Sequence, residues 1–221
     1  MIPLWDADRR PVDFPIMTAA IIFANIVAFI FELQGGQAFV LRWSVVPNEL
    51  THGQHLETIL TSMFMHGGWA HIIGNMVFLW AFGPQVEDVM GPWKYLAFYL
   101  LGGIVAMAAQ VIAMPTATVP TLGASGAIAA VMGAFLVTYP RDRIRTVLFL
   151  GFFATMTFIP AVVLIGFWFV FQVLSAGIGK IAHTDQGSGV AYLAHIGGAI
   201  FGALAARLFE DPQRVADRAA V

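Results

Sequence analysis

Long apolar runs separated by short polar breaks dominate this chain. The runs cover about 14–33, 62–83, 93–113, 123–139, 147–175 and 190–209. Gly35-Gly36 ends the first, and Glu87, Asp88, Gly91 and Pro92 close the second. Pro115 and Pro120 follow the third, Arg141 to Arg145 the fourth, and a Gly- and Ser-containing stretch, 176–189, the fifth. A bilayer core takes ~20 residues of helix to cross. The pattern therefore predicts an all-α polytopic membrane protein, a six-transmembrane-helix bundle over 14–209. A polar N-terminal segment, 1–13, and a polar C-terminal tail, 210–221, flank it. The connection 35–58 holds apolar residues but no spanning run, which suits the membrane interface. Pro160 falls inside the fifth run, which is read as one spanning helix.

Composition agrees with this reading. Charged residues make up 11% of the chain, less than half of soluble usage, and no boundary suggests a second domain. The first run is too long for a signal-peptide core and has no clear cleavage site. The formal net charge of -2 gives no reason to expect a nucleic-acid partner. Without cysteine there are no thiol nucleophiles, disulfides or Cys-based metal sites. No His-Glu-x-x-His spacing occurs, so neither metal nor cofactor is expected.

Charge also orients the spans. With the N-terminus inside, the inner segments hold Arg9, Arg10, Lys94, Arg141, Arg143, Arg145, Arg207, Arg214 and Arg218. The outer segments hold Arg42 and Lys180. This positive-inside bias predicts that both termini are cytosolic. Spans two, four and six then all enter from the outer side. His71 and Asn75 lie early in span two, Ser125 opens span four, and His195 lies early in span six. The four side chains fall at one shallow depth on three helices that run the same way.

That constellation suits acyl transfer. A serine hydroxyl becomes a nucleophile only with a base in hydrogen-bond reach, and histidine titrates near neutrality. Gly198, Ala199 and Gly202 follow His195 at +3, +4 and +7, on its own helical face. The Gly198-x-x-x-Gly202 spacing lets another helix approach closely, which would bring His195 to Ser125. Outer-side acids occur only in or near loops, at Glu49, Glu57 and Asp185, so a Ser125–His195 dyad is expected rather than a triad. His71 and Asn75, at i and i+4, share a face and can donate to an oxyanion. Two alternatives stay open: His71 as the base, or a His71–Asn75 packing bond between helices. His66, off the face of His71, is expected to cap or brace span two. His52, His55 and His183 are given no role. Gly123-Ala124-Ser125-Gly126-Ala127 is not the Gly-x-Ser-x-Gly hydrolase elbow, because the second glycine comes one residue early.

These residues also carry a family resemblance. Gly123-Ala124-Ser125-Gly126 resembles the Gly-x-Ser-Gly signature of the rhomboid intramembrane serine proteases. His66-x4-His71-x3-Asn75 is similar to their second-span pattern, and Ala194-His195-Ile196-Gly197-Gly198 to their last-span histidine motif. Asn75 to Gly83, Val86-Glu-Asp88 and Tyr139-Pro-Arg141 resemble stretches of bacterial members. The resemblance implies a six-helix bundle in a cell membrane, of the bacterial inner-membrane type. It implies catalysis by Ser125 and His195 and an oxyanion hole from His71 and Asn75. Membrane proteins with a helix-destabilised transmembrane segment would be the substrates. Span five would form a lateral gate, and 176–189 a cap. Two positions depart from the family: Glu57-Thr58 stands where many members have Trp-Arg, and Ala129 where many have an aromatic ring on the histidine. The competing functions are a non-catalytic relative that binds transmembrane clients and a small-solute transporter. The transporter would want its polar site near mid-depth. The sequence leaves oligomeric state open.

Overall fold

Glycine and proline set the helix boundaries. The computed structural model describes residues 1–151, 153–182 and 191–219. Helix α1 (Ile16–Trp43) begins directly after Pro15 and breaks at Gly36 (φ 60°) before its last two turns. Two short helices, α2 (Pro47–Thr51) and α3 (Thr58–Thr61), run into a 3-10 turn at Ser62–Phe64. Helix α4 (Trp69–Met90) ends at Gly91, whose φ of 77° turns the chain straight into α5 (Pro92–Ala113). Helices α6 (Ser125–Thr138), α7 (Ala161–Ala182), α8 (Tyr192–Phe209) and α9 (Pro212–Ala219) complete the helical part. Of these, α1, α5, α7 and α8 are long and apolar enough to cross a membrane.

Helix α6 is the centre. Every residue from Gly126 to Phe135 is buried, as expected of a helix that is apolar all round. Helices α4, α5, α7 and α8 surround it. Its 14 residues rise only ~21 Å, well short of a ~30 Å bilayer core. Its closest neighbour is α8. Gly198 and Gly202 of α8 lie against the carbonyls of Gly126 and Ala130, and Gly133 of α6 lies against that of Ala199. A Cβ at any of these three glycines would collide with backbone.

The stretch 143–160 overturns two expectations. It is not the first half of a spanning helix, and the fold is not purely helical. Strand β2 (Arg143–Leu150) pairs antiparallel with β3 (Phe153–Pro160) around Gly151 (φ 62°). Strand β1 (Ile2–Asp6) adds to the other edge of β2, giving the order β1-β2-β3. The fifth apolar run therefore divides at Pro160, and its helix starts at Ala161. Arg143 and Arg145 alternate with the fully buried Ile144 and Thr146, which is strand period. Proline cannot sit in a helix interior without losing a backbone bond. The same finding places a strand in the 1–13 segment. The expected cap, 176–189, is helical to Ala182, and the rest of it lies outside the described residues.

Charge gathers at the end of the bundle away from Ser125. Glu87 accepts the backbone N–H of Met17 (2.8 Å) and Thr18 (2.7 Å) and the Thr18 hydroxyl (2.8 Å). It thereby caps α1, whose first-turn amides have no local side-chain partner. Arg218 donates to both oxygens of Asp88 at 2.9 and 3.0 Å, and Arg9 to Asp142 at 2.6 Å. Glu210 accepts from Thr138 and Arg207, each at 2.7 Å. These bonds tie the N-terminal segment, α4, α6, α8 and α9 together.

Candidate active site

Three helices begin at the opposite end, and each delivers its polar residue within its first two turns. Ser125 is the first residue of α6 and His195 the fourth of α8. His71 and Asn75 lie in the first two turns of α4. All four line one cavity of about 380 Å³, which Trp168 of α7 also lines.

The Ser125 hydroxyl donates to His195 Nε2 at 2.7 Å. His195 Nδ1 lies 2.8 Å from Gln172 Oε1. An amide oxygen can only accept, so Nδ1 carries the proton and Nε2 is left bare to accept from serine. Gln172 is buried, on α7, and sequence reasoning did not single it out. The available signal was one amide side chain within the apolar run 161–174, a costly feature unless it has a partner. Among the described residues the Nδ1 partner is this neutral amide; Asp185, one of the candidate acids, lies outside them.

His71 accepts the Gly67 N–H through Nδ1 at 3.2 Å. Its neutral ring therefore carries hydrogen on Nε2. That nitrogen faces the turn before α6: a Cβ on Gly123 would come within 2.9 Å of it. Gly123 also has φ 125°, so glycine is required there twice over. Its N–H donates to the Ser62 carbonyl at 2.9 Å, which fixes the turn. Asn75 Nδ2 is buried and has no hydrogen-bond partner among the described residues. Among the described residues no side chain caps α6, so the amides at its start, before that of Ile128, have no side-chain partner.

His66 precedes α4. Its N–H donates to Glu32 Oε1 of α1 at 2.7 Å, and its ring meets that of His71 at 5.1 Å between centroids. Its ring nitrogens have no hydrogen-bond partner among the described residues, and it does not line the cavity. His52 and His55 are exposed, and His183 lies outside the described residues.

The two departures have structural counterparts. Ala129 is fully buried, 3.3 Å from where a Cβ on Gly198 would lie, so the α6–α8 contact leaves an aromatic no room. A ring reaches His195 from α7 instead: Trp168 lies 5.7 Å away between centroids, tilted by 38°. At the other position, Arg42 donates to Glu57 at 2.9 Å and its guanidinium lies 4.9 Å over the Trp43 ring. The Arg42 hydrogen bond holds the exposed Glu57 carboxyl below the usual range.

Comparison with known proteins points to one family. The Rhomboid domain matches residues 53–211, which include all four residues above. The rhomboid protease GluP of Bacillus subtilis is 29% identical over 203 residues, covering 90% of this chain and 36% of that protein. RHOMBOID-like protein 12, mitochondrial, of Arabidopsis thaliana is 30% identical over 202 residues, covering 84% of this chain and 56% of that protein. The human presenilin-associated rhomboid-like protein, mitochondrial, is 29% identical over 151 residues, covering 65% of this chain and 35% of its own length. The chain thus spans between about a third and just over half of these relatives.

Proposed function

The chain belongs to the rhomboid family, and on that premise we propose that it is an intramembrane serine endopeptidase with a Ser125–His195 dyad. The observation that carries this reading is the 2.7 Å bond from Ser125 to His195 Nε2, with Nδ1 held by Gln172. A hydroxyl bonded to a correctly protonated imidazole is what a serine nucleophile needs.

As Ser125 Oγ attacks a scissile carbonyl, its proton passes to His195 Nε2. The resulting imidazolium keeps its Nδ1–H on Gln172 Oε1. The carbonyl oxygen becomes an oxyanion, with Asn75 Nδ2, His71 Nε2–H and the first-turn amides of α6 as donors. His195 then protonates the leaving amine. Water, with His195 again as base, hydrolyses the acyl–serine ester.

The same reading makes α4 and α6 the remaining two of six spans, over 14–209, with 1–13 and 210–221 outside the membrane. The arginine distribution puts both termini in the cytosol and the cavity near the outer surface. Substrates are then membrane proteins cut in or near a transmembrane segment. The relative named a protease is bacterial, which favours a bacterial inner membrane for this chain, although two of the relatives above are mitochondrial.

The test uses the full chain in proteoliposomes with a fluorogenic transmembrane substrate and a fluorophosphonate probe. Wild type should cleave and take up the probe at Ser125. Ser125→Ala should lose both, and His195→Ala should lose cleavage, each by at least ~10⁴-fold. Undiminished cleavage by Ser125→Ala would overturn the assignment. Absence of both activities in wild type would leave a client-binding relative.

A further inference from the structure

The β2–β3 hairpin takes no part in the proposed chemistry. Strand β1 covers only the base of it: Ile2 pairs with Val147, and nothing pairs beyond. From Leu148 to Thr155 the hairpin is two-stranded. In water such a piece is marginal at best, yet this one displays apolar rings. Phe149 is 58% exposed, Phe153 78%, Met156 59% and Phe158 55%. Strand β3 has no charged residue, and Thr155 and Thr157 are its only polar side chains. A patch of this kind marks an interaction site.

Three observations say what covers it. First, β3 ends at Pro160 and α7 begins at Ala161, so no linker separates the hairpin from a spanning helix. Exposed apolar residues continue from Phe158 through Val162, Val163 and Phe167 of that helix. Second, the opposite edge of the sheet also reaches the lipid-facing surface. Leu4 and Trp5 of β1 line a groove of about 940 Å³ together with Phe23 and Ile26 of α1 and Ile73 and Trp80 of α4. Third, charge falls along one face of the hairpin from base to tip. Arg143 and Arg145 stand at the base, and Val147 and Phe149 follow on the same face. Arg143 pairs with Asp8 at 2.6 Å, and the Arg145 guanidinium lies 4.9 Å over Trp5. Exposed Arg10 and Arg141 flank them. Arginine and tryptophan at the headgroup level with phenylalanines deeper is the signature of an interfacial element.

We propose that the β2–β3 hairpin is a membrane anchor: its tip seats in the lipid leaflet on the side away from Ser125, with the basic base of the sheet at the headgroups. Since α7 follows the hairpin directly and also carries Gln172 and Trp168, the anchor fixes the near end of the helix that holds His195. The inference depends on the chain being a membrane protein and not on its being a protease.

The lack of cysteine makes the test direct. Single variants Phe149→Cys, Phe153→Cys and Met156→Cys, with Arg141→Cys as the water-exposed reference, are labelled with an environment-sensitive fluorophore. Each is placed in nanodiscs holding one copy of the full chain. Labels at 149, 153 and 156 should shift to the blue and lose most of their emission to brominated lipid acyl chains. Iodide should quench them several-fold less than the label at 141. A fraction of anionic lipid should deepen the blue shift, and a zwitterionic bilayer alone should still give lipid quenching. Iodide quenching at 149 and 153 equal to that at 141 would overturn the proposal. So would shielding that appears only in discs loaded with two copies, since a second chain would then be the cover. Fluorophosphonate labelling of Ser125 in the same samples reports separately on the protease reading.

Discussion

Helix α8 has two neighbours on the side of the candidate site, and they contact it in opposite ways. Against α6 it packs backbone to backbone, with glycines seated on carbonyls. Against α7 it meets side chains: at the candidate site Gln172 and Trp168 reach across to His195. The first contact sets how far His195 lies from Ser125. The second sets which way the imidazole faces and which nitrogen holds the proton. Distance is thus fixed by a contact that leaves no slack, and orientation by one that amino-acid exchange can tune. A helix held through side chains can also shift without unseating the serine.

The largest effect should come from the rigid contact. Gly202→Val places a side chain on the Ala130 carbonyl and should cost about 3 kcal/mol or more, the upper end of overpacking penalties. Thermal unfolding in detergent should show it, together with lost fluorophosphonate labelling. A variant that retains the wild-type melting temperature would break the comparison. Next comes the proposed oxyanion donor. Asn75→Ala should lower kcat by about 10²–10³ while the protein stays folded and Ser125 still meets His195.

The side-chain contact should give smaller effects with a particular form. Gln172→Leu removes one neutral hydrogen bond, worth about 1 kcal/mol, and should lower kcat roughly fivefold to tenfold with KM unchanged. Gln172→Glu should restore most of the rate, because its carboxylate accepts the same Nδ1–H. A purely packing role predicts the reverse order, with leucine tolerated and glutamate not. The smallest change is Trp168→Ala, which removes a ring contact of about 0.5–1.5 kcal/mol. It should slow cleavage by a few-fold without lowering the melting temperature as Gly202→Val does.

Much of the candidate site, four residues that line one cavity, was legible in the sequence because its parts are local. Ser125, His71, Asn75 and His195 each sit near a helix start, and helix starts are marked by glycine and by the onset of apolar runs. A common depth then follows from helix direction alone. The Gly198/Gly202 spacing is likewise a one-helix property, readable without knowing the partner. What failed was an apolar run read as one element. Residues 147–175 have uniform hydropathy across Pro160, and hydropathy does not distinguish a strand facing lipid or the interface from a helix.

The sequence by itself determined a membrane protein of the rhomboid family and the order of its helices, and it singled out the four side chains of the candidate site, since composition, period and motif are properties of contiguous residues. Tertiary structure decided the rest. Residues 2–6 make the third strand only because β2, far along the chain, offers a pairing edge. Ala129 leaves the ring position to Trp168 because α8 comes too close to α6 for anything larger. The proton on His195 lies on Nδ1 because Gln172, 23 residues away on another helix, presents an oxygen there. Each outcome depends on which surfaces meet in space, and no local pattern encodes that.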